Sequence, residues 1–155
     1  HFEDHLNRPG TPSTAAGIRA NIAAGNAYLA LARRDTMSAL RQFMFASDTL
    51  HECWYDNRLT LVQLLIAKHR FKDASTRLER RWPGTSGCGN GFDDVMWTLA
   101  RARVATQLGR TDEAAASYGV VAAAWRTADP ELQPFVREAR KAVAAHRGPG
   151  SARSH

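Results

Sequence analysis

Three alanines, each just after a short polar turn, recur along the chain and constrain its fold more than any other feature. They are Ala39, Ala74 and Ala114, and the intervals between them are 35 and 40 residues. Each turn separates two segments in which apolar residues follow helical spacing. A helix–turn–helix unit that repeats at this interval is typical of stacked helical hairpins, in which each hairpin contacts mainly its neighbours.

Apolar spacing and turn residues predict seven helices, while no segment shows the alternation expected of a strand. Pro83-Gly84 ends the fourth helix, a glycine-rich loop follows from Thr85 to Phe92, and Ala128-Asp129-Pro130 breaks the chain before the last helix. The predicted helices cover about 13–33, 36–49, 52–68, 71–82, 93–108, 111–127 and 131–146.

Local signals also predict how some of these helices begin and which face each one buries. Asp35 is expected to cap the second helix, and Thr111 the sixth, with Glu113 near the reciprocal capping position. The first helix is expected to bury a stripe formed by Ile18, Ile22, Ala27 and Leu31. The seventh is expected to carry its charges on one side, at Arg137, Glu138, Arg140 and Lys141.

The fold class that follows is all-α: a right-handed stack of three antiparallel hairpins, an alpha-alpha superhelix, closed by a C-terminal capping helix. We expect an irregular lead-in at residues 1–12, one helical-repeat domain at 13–146 and a disordered tail at 147–155. The longest apolar run, Leu64-Leu65-Ile66-Ala67, is far too short to span a membrane.

Charge is the main feature of the composition that bears on partners. The net charge is +6 and the isoelectric point is about 10.0, with the positive charge mostly from arginine. A basic balance can indicate a nucleic-acid surface. Here the arginines are dispersed among acidic residues without a dense run, so we expect a solvated helix surface and no nucleic-acid partner.

The residues around the alanines resemble tetratricopeptide repeats. In that family a small residue lies at the middle of the first helix of each hairpin, and alanine, an aromatic residue and alanine follow at fixed offsets in the second. The first hairpin matches with Ala27, Ala39, Phe43 and Ala46. The third matches with Ala102, Leu108, Gly109, Ala114 and Tyr118, although Val121 replaces the second alanine.

The middle hairpin departs furthest from this pattern. Phe71, Ala74 and Leu78 agree with it, but Val62 and Arg81 occupy positions where small residues are expected. The resemblance spans roughly residues 15–146 and implies a fold, because such repeats bind many different partners.

The closing stretch from Tyr118 to Arg140 is similar to the last repeat of arrays attached to bacterial signalling proteins. The residues that carry this similarity include Trp125 and the run Ala128-Asp129-Pro130-Glu131-Leu132. It implies an input or docking module of a kinase or transcriptional regulator, although no kinase motif occurs in this chain.

A stack of hairpins has a concave face lined by the first helix of each pair, and this face is the predicted binding groove. Its mixed polar and apolar character suits a peptide or an extended partner segment. The carboxylate-gripping lysines and asparagines known in the resembled family have no match at these positions. The predicted groove residues are Asn21, Tyr28, Asp56, Leu59, Gln63, Met96, Leu99 and Arg103.

The two cysteines, Cys53 and Cys88, are expected at the same end of a hairpin stack. A disulfide between them is therefore one interpretation, and two free thiols are the other. A bridge would indicate an oxidising compartment. The chain begins at His1 without an initiator methionine, which is expected of a cleaved leader and equally of a fragment of a longer protein. Together with a disulfide it favours an exported protein, periplasmic or extracellular.

No combination of residues indicates catalysis, a metal site or a cofactor. His51-Glu52 begins like a zinc-protease motif, but Tyr55 replaces its second histidine. Asp93-Asp94 is better explained as helix capping. We therefore expect a non-enzymatic scaffold that binds a peptide or a neighbouring subunit. The alternatives are a regulatory module of a bacterial signalling protein and a structural subunit of an extracellular or envelope assembly.

Overall fold

The computed structural model describes residues 14–49, 55–79 and 91–148, and every regular element within these ranges is helical. The all-α class predicted from the sequence is therefore confirmed for this part of the chain. The predicted lead-in and residues 149–155 of the tail lie outside it. The helices are α1 (Thr14–Ala32), α2 (Thr36–Thr49), α3 (Tyr55–Ala67), α4 (Phe71–Glu79), α5 (Gly91–Gln107), α6 (Thr111–Ala124) and α7 (Gln133–His146).

Three of the turns between helices have the same backbone geometry. Arg34, His69 and Gly109 each have a positive φ, of 61°, 56° and 73°. This left-handed conformation, two residues after the end of each helix, lets backbone N–H groups of the turn bond back to the last carbonyls. It favours glycine, which only the third turn has, because a β-carbon crowds the carbonyl oxygen in this region.

The helix after each turn also begins in the same way. The N–H of Ala39, Ala74 and Ala114 donates to the carbonyl four residues earlier, at 3.0 to 3.1 Å. All three alanines are buried. The three alanines therefore share the same local hydrogen bond and the same burial.

The capping predictions have different outcomes. Asp35 caps α2, since its Oδ1 accepts the N–H of Ser38 at 3.0 Å, and this bond lowers the pKa of the carboxyl. The prediction for Thr111 was wrong. Thr111 is the first residue of α6, and Arg110 holds the capping position without a side-chain bond. The turn ends at Arg110, so Thr111 already belongs to the helix and cannot cap it.

The described residues form two compact units. The N-terminal unit comprises residues 14–49 and 55–69, and the C-terminal unit comprises 70–79 and 91–148. In the N-terminal unit α1 packs against α2, and α2 against α3. The α1–α2 contact uses small side chains, since Ala20, Ala23 and Ala24 meet Ala46.

The predicted buried stripe of α1 was wrong at two positions. Ala27 is fully buried and Leu31 partly buried, but Ile18 and Ile22 are 54% and 58% exposed. The buried face is centred on Ala20, Ala23, Ala24 and Ala27. Small side chains let two helices approach closely, so the alanine face packs inward and the isoleucines lie opposite.

Larger side chains fill the rest of the N-terminal unit. Phe43 of α2 is buried and meets the ring of Tyr28 edge to face, with ring centroids 5.0 Å apart. Leu61, Val62 and Leu65 make up the buried face of α3. An aromatic pair such as Tyr28 and Phe43 adds about 0.5–1.5 kcal/mol to stability beyond the burial of its area.

In the C-terminal unit, α5, α6 and α7 share one core. Leu99 and Val136 are fully buried, and Tyr118, Val121 and Trp125 complete its bulk. Alanines from all three helices lie between these larger side chains. A short 3-10 helix, Pro130–Leu132, precedes α7, so α7 starts two residues later than predicted.

The shortest helix, α4, is connected to this core by a polar network. The Arg110 guanidinium donates to Ser75 Oγ and to Glu79 Oε1, both at 3.1 Å, and Ser75 donates to Glu79 at 2.7 Å. The hydrogen bond from Ser75 and then that from Arg110 lower the pKa of Glu79. The turn residue Arg110 thereby connects α4 to the start of α6.

The contrast between two glycines gives a test of the turn geometry. We expect Gly109→Ala to destabilise the protein by about 1 kcal/mol, because φ at this position is positive. Gly119→Ala, inside α6, should stabilise it by about 0.5–1 kcal/mol. A β-carbon at either position meets no other atom within 4 Å. Urea unfolding would measure the change in the free energy of unfolding for both variants. If both substitutions stabilised the protein, or both destabilised it, the positive φ of Gly109 would not account for the result.

Candidate functional site

The predicted groove residues of the N-terminal unit lie on α1 and α3. Asn21 and Gln63 are exposed, and Leu59 is partly buried. Tyr28 is 44% exposed, but its ring also packs against Phe43. Asp56 belongs to α3, but its side chain lies outside the described part of the structure. Asn21 and Gln63 are thus exposed, and the Tyr28 ring is partly taken up by its contact with Phe43.

The predicted groove residues of the C-terminal unit are engaged in packing. Leu99 is fully buried, and Met96 packs partly buried against the same core. Arg103 is half-buried and binds Glu138 of α7 through two hydrogen bonds. The shared core of α5, α6 and α7 explains this difference from the expectation, because Leu99 and Met96 pack in it and Glu138 binds Arg103.

The pair between Arg103 and Glu138 is bidentate. Nε donates to one carboxylate oxygen at 2.8 Å, and a terminal nitrogen donates to the other at 2.7 Å. The phenol of Tyr118 donates to the same carboxylate at 3.2 Å, and the guanidinium lies 5.7 Å from the ring centroid of Phe135. The three helices α5, α6 and α7 are therefore joined by one polar cluster.

The charges in this cluster stabilise one another. The hydrogen bonds from Arg103 lower the pKa of the Glu138 carboxyl, and the bond to Glu138 raises the pKa of Arg103. Burial, reinforced by the Glu138 charge, raises the pKa of the Tyr118 phenol. Glu138 stays ionised and Tyr118 stays neutral near pH 7. The cluster is thus a fixed connection between helices, without a free base or nucleophile.

A cleft of about 300 Å³ opens beside this cluster, within the C-terminal unit. Its floor consists of alanine methyl groups, and its polar groups are Thr106, Thr111, Tyr118 and His146. His146 Nε2 lies 3.4 Å from Asp112 Oδ1. This volume is at the lower end for ligand sites, and the lining suits a small apolar group or the side chain of a partner.

An accessible apolar surface lies on α1, opposite its alanine face. Ile18, Ile22 and Leu29 are each more than half exposed. They fall on one line with Gly25, because residues four, seven and eleven apart lie on the same side of a helix. We call these four residues the outer face of α1. This face was not predicted, because Ile18 and Ile22 were assigned to the stripe that α1 buries.

The remaining sequence predictions concern cysteines, metals and membranes. Cys53 and Cys88 both lie outside the described residues, so the disulfide stays a prediction. Within the described ranges no three acidic, histidine or cysteine side chains come together as metal ligands would. No helix in those ranges is both long enough and apolar enough to cross a membrane.

Comparison of the chain with models of protein families, with curated proteins and with solved structures finds no match.

The bidentate pair makes stability depend on pH on the acid side. Because folding lowers the pKa of Glu138, its contribution is present above the unfolded pKa and is lost as pH falls through the folded value. Both side chains are a little over one third exposed, so solvent screens the pair and we expect roughly 0.5–1 kcal/mol. Glu138→Gln should lower stability by this amount near pH 7 and make the acid-side decline shallower.

Unfolding curves between pH 3 and 7 would measure this effect. Glu131→Gln is the matched control, because Glu131 is exposed and has no ion-pair partner among the described residues. If both variants changed the pH dependence equally, the stabilisation would not come from the bond to Arg103.

Proposed function

We propose that this chain is a non-enzymatic protein–protein interaction module built from helical hairpins of the tetratricopeptide type. The family assignment rests on the residues quoted from the sequence. The recurrence of one turn geometry at Arg34, His69 and Gly109 supports a repeated hairpin unit. The superhelical stacking of three hairpins is part of this proposal.

The observation that carries the proposed function is the outer face of α1. Three large aliphatic side chains are exposed there at 54 to 58% of their surface, in one line. Isolated exposed apolar residues are common on proteins, but contiguous patches indicate interaction sites. Arg19 is the only charged residue of α1, so little charge opposes the approach of an apolar partner surface.

An apolar helix of a partner protein fits this face best. The side chains of Ile18 and Ile22 stand one turn apart, and Gly25 leaves a gap before Leu29. A partner side chain can enter that gap, because a β-carbon built at Gly25 meets no other atom within 4 Å. Asn21 and Tyr28 lie beside the line and can supply polar contacts at its edge.

A comparison of two surface variants tests this proposal. The triple variant Ile18→Ser, Ile22→Ser, Leu29→Ser should lose the partner captured by the native protein from cells that express it. The double variant Met37→Ser, Phe45→Ser is the control, because it removes exposed apolar side chains from α2 instead. Mass spectrometry of the captured proteins, after cross-linking, measures the difference.

Stability measurements complete this test. Substitutions on a half-exposed face should change the free energy of unfolding by about 1 kcal/mol or less in total. A much larger loss would mean that the face is covered within the folded chain. Retention of every captured partner by the triple variant would equally contradict the proposal.

A further inference from the structure

The outer side of α7 carries a line of positive charge. Arg137, Arg140 and Lys141 are all exposed, and Ala144 and Arg147 continue the same side of the helix. Their spacing of three and four residues places them on one face, about 4.5 and 6 Å apart along the axis. We call Arg137, Arg140 and Lys141 the basic stripe.

The opposite side of α7 is fixed in the core. Val136 and Ala139 are fully buried, and Glu138 turns inward to Arg103. The sequence-based expectation that Glu138 shares a side with the arginines was therefore wrong. With its only carboxylate turned away, the outer side of α7 has no negative charge of its own.

The cations of the basic stripe have no carboxylate partner. Within the described ranges, neither Arg137, Arg140 nor Lys141 takes part in an ion pair, whereas Arg70, Arg103 and Arg110 each do. Like charges at three- and four-residue spacing destabilise a helix by a few tenths of a kcal/mol per pair. An acidic partner would remove this repulsion.

Acidic residues limit this surface at one end. Asp129 and Glu131 are exposed just before α7. A nucleic-acid duplex running past the start of α7 would bring its phosphates close to these carboxylates. No exposed aromatic residue of α7 offers a base-stacking contact either. A short acidic helical segment avoids these carboxylates.

A second copy of this chain does not supply such a segment from its described residues. None of the described helices carries acidic residues three or four positions apart. The described helices of a second copy therefore do not offer the complementary surface.

We propose that the basic stripe of α7 binds an acidic helical segment of a partner protein. Glutamates or aspartates three and four residues apart on that helix would face Arg137, Arg140 and Lys141. Arginine suits this role, because its planar guanidinium binds carboxylates through two hydrogen bonds. The inference rests on the proposed role in protein binding but uses a different surface from the outer face of α1.

Two synthetic peptides of equal composition test the geometry. Both are 14-residue alanine–glutamine helices with four glutamates, which lie on one face in the first peptide and are distributed around the helix in the second. Fluorescence anisotropy with the full chain at low ionic strength should give at least ~3-fold tighter binding of the one-faced peptide. Its binding should weaken as salt is added.

Two triple variants with the same change of net charge test the location. Arg137→Gln, Arg140→Gln, Lys141→Gln should weaken binding of the one-faced peptide about tenfold. The control is Arg19→Gln, Arg33→Gln, Lys72→Gln, which removes three exposed cations elsewhere and should change binding less than ~2-fold. Glutamine is a good helix former, and circular dichroism confirms that both variants fold.

Four results would overturn the proposal: no binding of the one-faced peptide, equal binding of both peptides, an equal loss in both triple variants, or tighter stripe-dependent binding of a 20-base-pair DNA duplex. The last result would assign the stripe to nucleic acid instead. None of them concerns the outer face of α1, so failure here and failure of the proposed function are distinguishable.

Discussion

The close contact of helices through alanine is the constraint on which both units of this protein depend. In the N-terminal unit, alanines of α1 lie against Ala46 of α2. In the C-terminal unit, Ala102, Ala105 and Ala139 lie between larger side chains of the core. Each alanine contributes little burial, but it costs little conformational entropy and favours the helix. A larger side chain at these positions would push the helices apart and expose the aromatic rings beside them.

This constraint explains why local features were predictable and the orientation of α1 was not. Helix boundaries follow from turn residues such as Asp35 and Gly109, whose effects act within a few positions. The buried face of α1 depends on which side its neighbour can approach. Isoleucine gains more from burial than alanine, so the sequence favours burying Ile18 and Ile22. Only the packing against α2 shows that the alanine side is the one that fits.

The candidate surfaces were likewise predictable only where they depend on local sequence. The partner of Arg103 lies 35 residues away on α7, and no local signal connects the two. The basic stripe was partly visible in the spacing of Arg137, Arg140 and Lys141. Glu138 concealed it, because helical spacing alone does not reveal that this carboxylate turns inward to an arginine of another helix.

A core that relies on alanine also leaves large and charged side chains for the outer faces of helices. On α1 these side chains are aliphatic, so a partner would be recognised by shape and burial, which moderate salt does not weaken. On α7 they are cationic and exposed, and attraction between solvent-exposed charges is screened at physiological ionic strength. The two proposed faces therefore suit chemically different partners, and added salt would weaken binding at α7 while leaving binding at α1 intact. A single partner that bridged both faces would lose only part of its affinity as salt rises, and the remaining affinity would depend on Ile22 but not on Arg140.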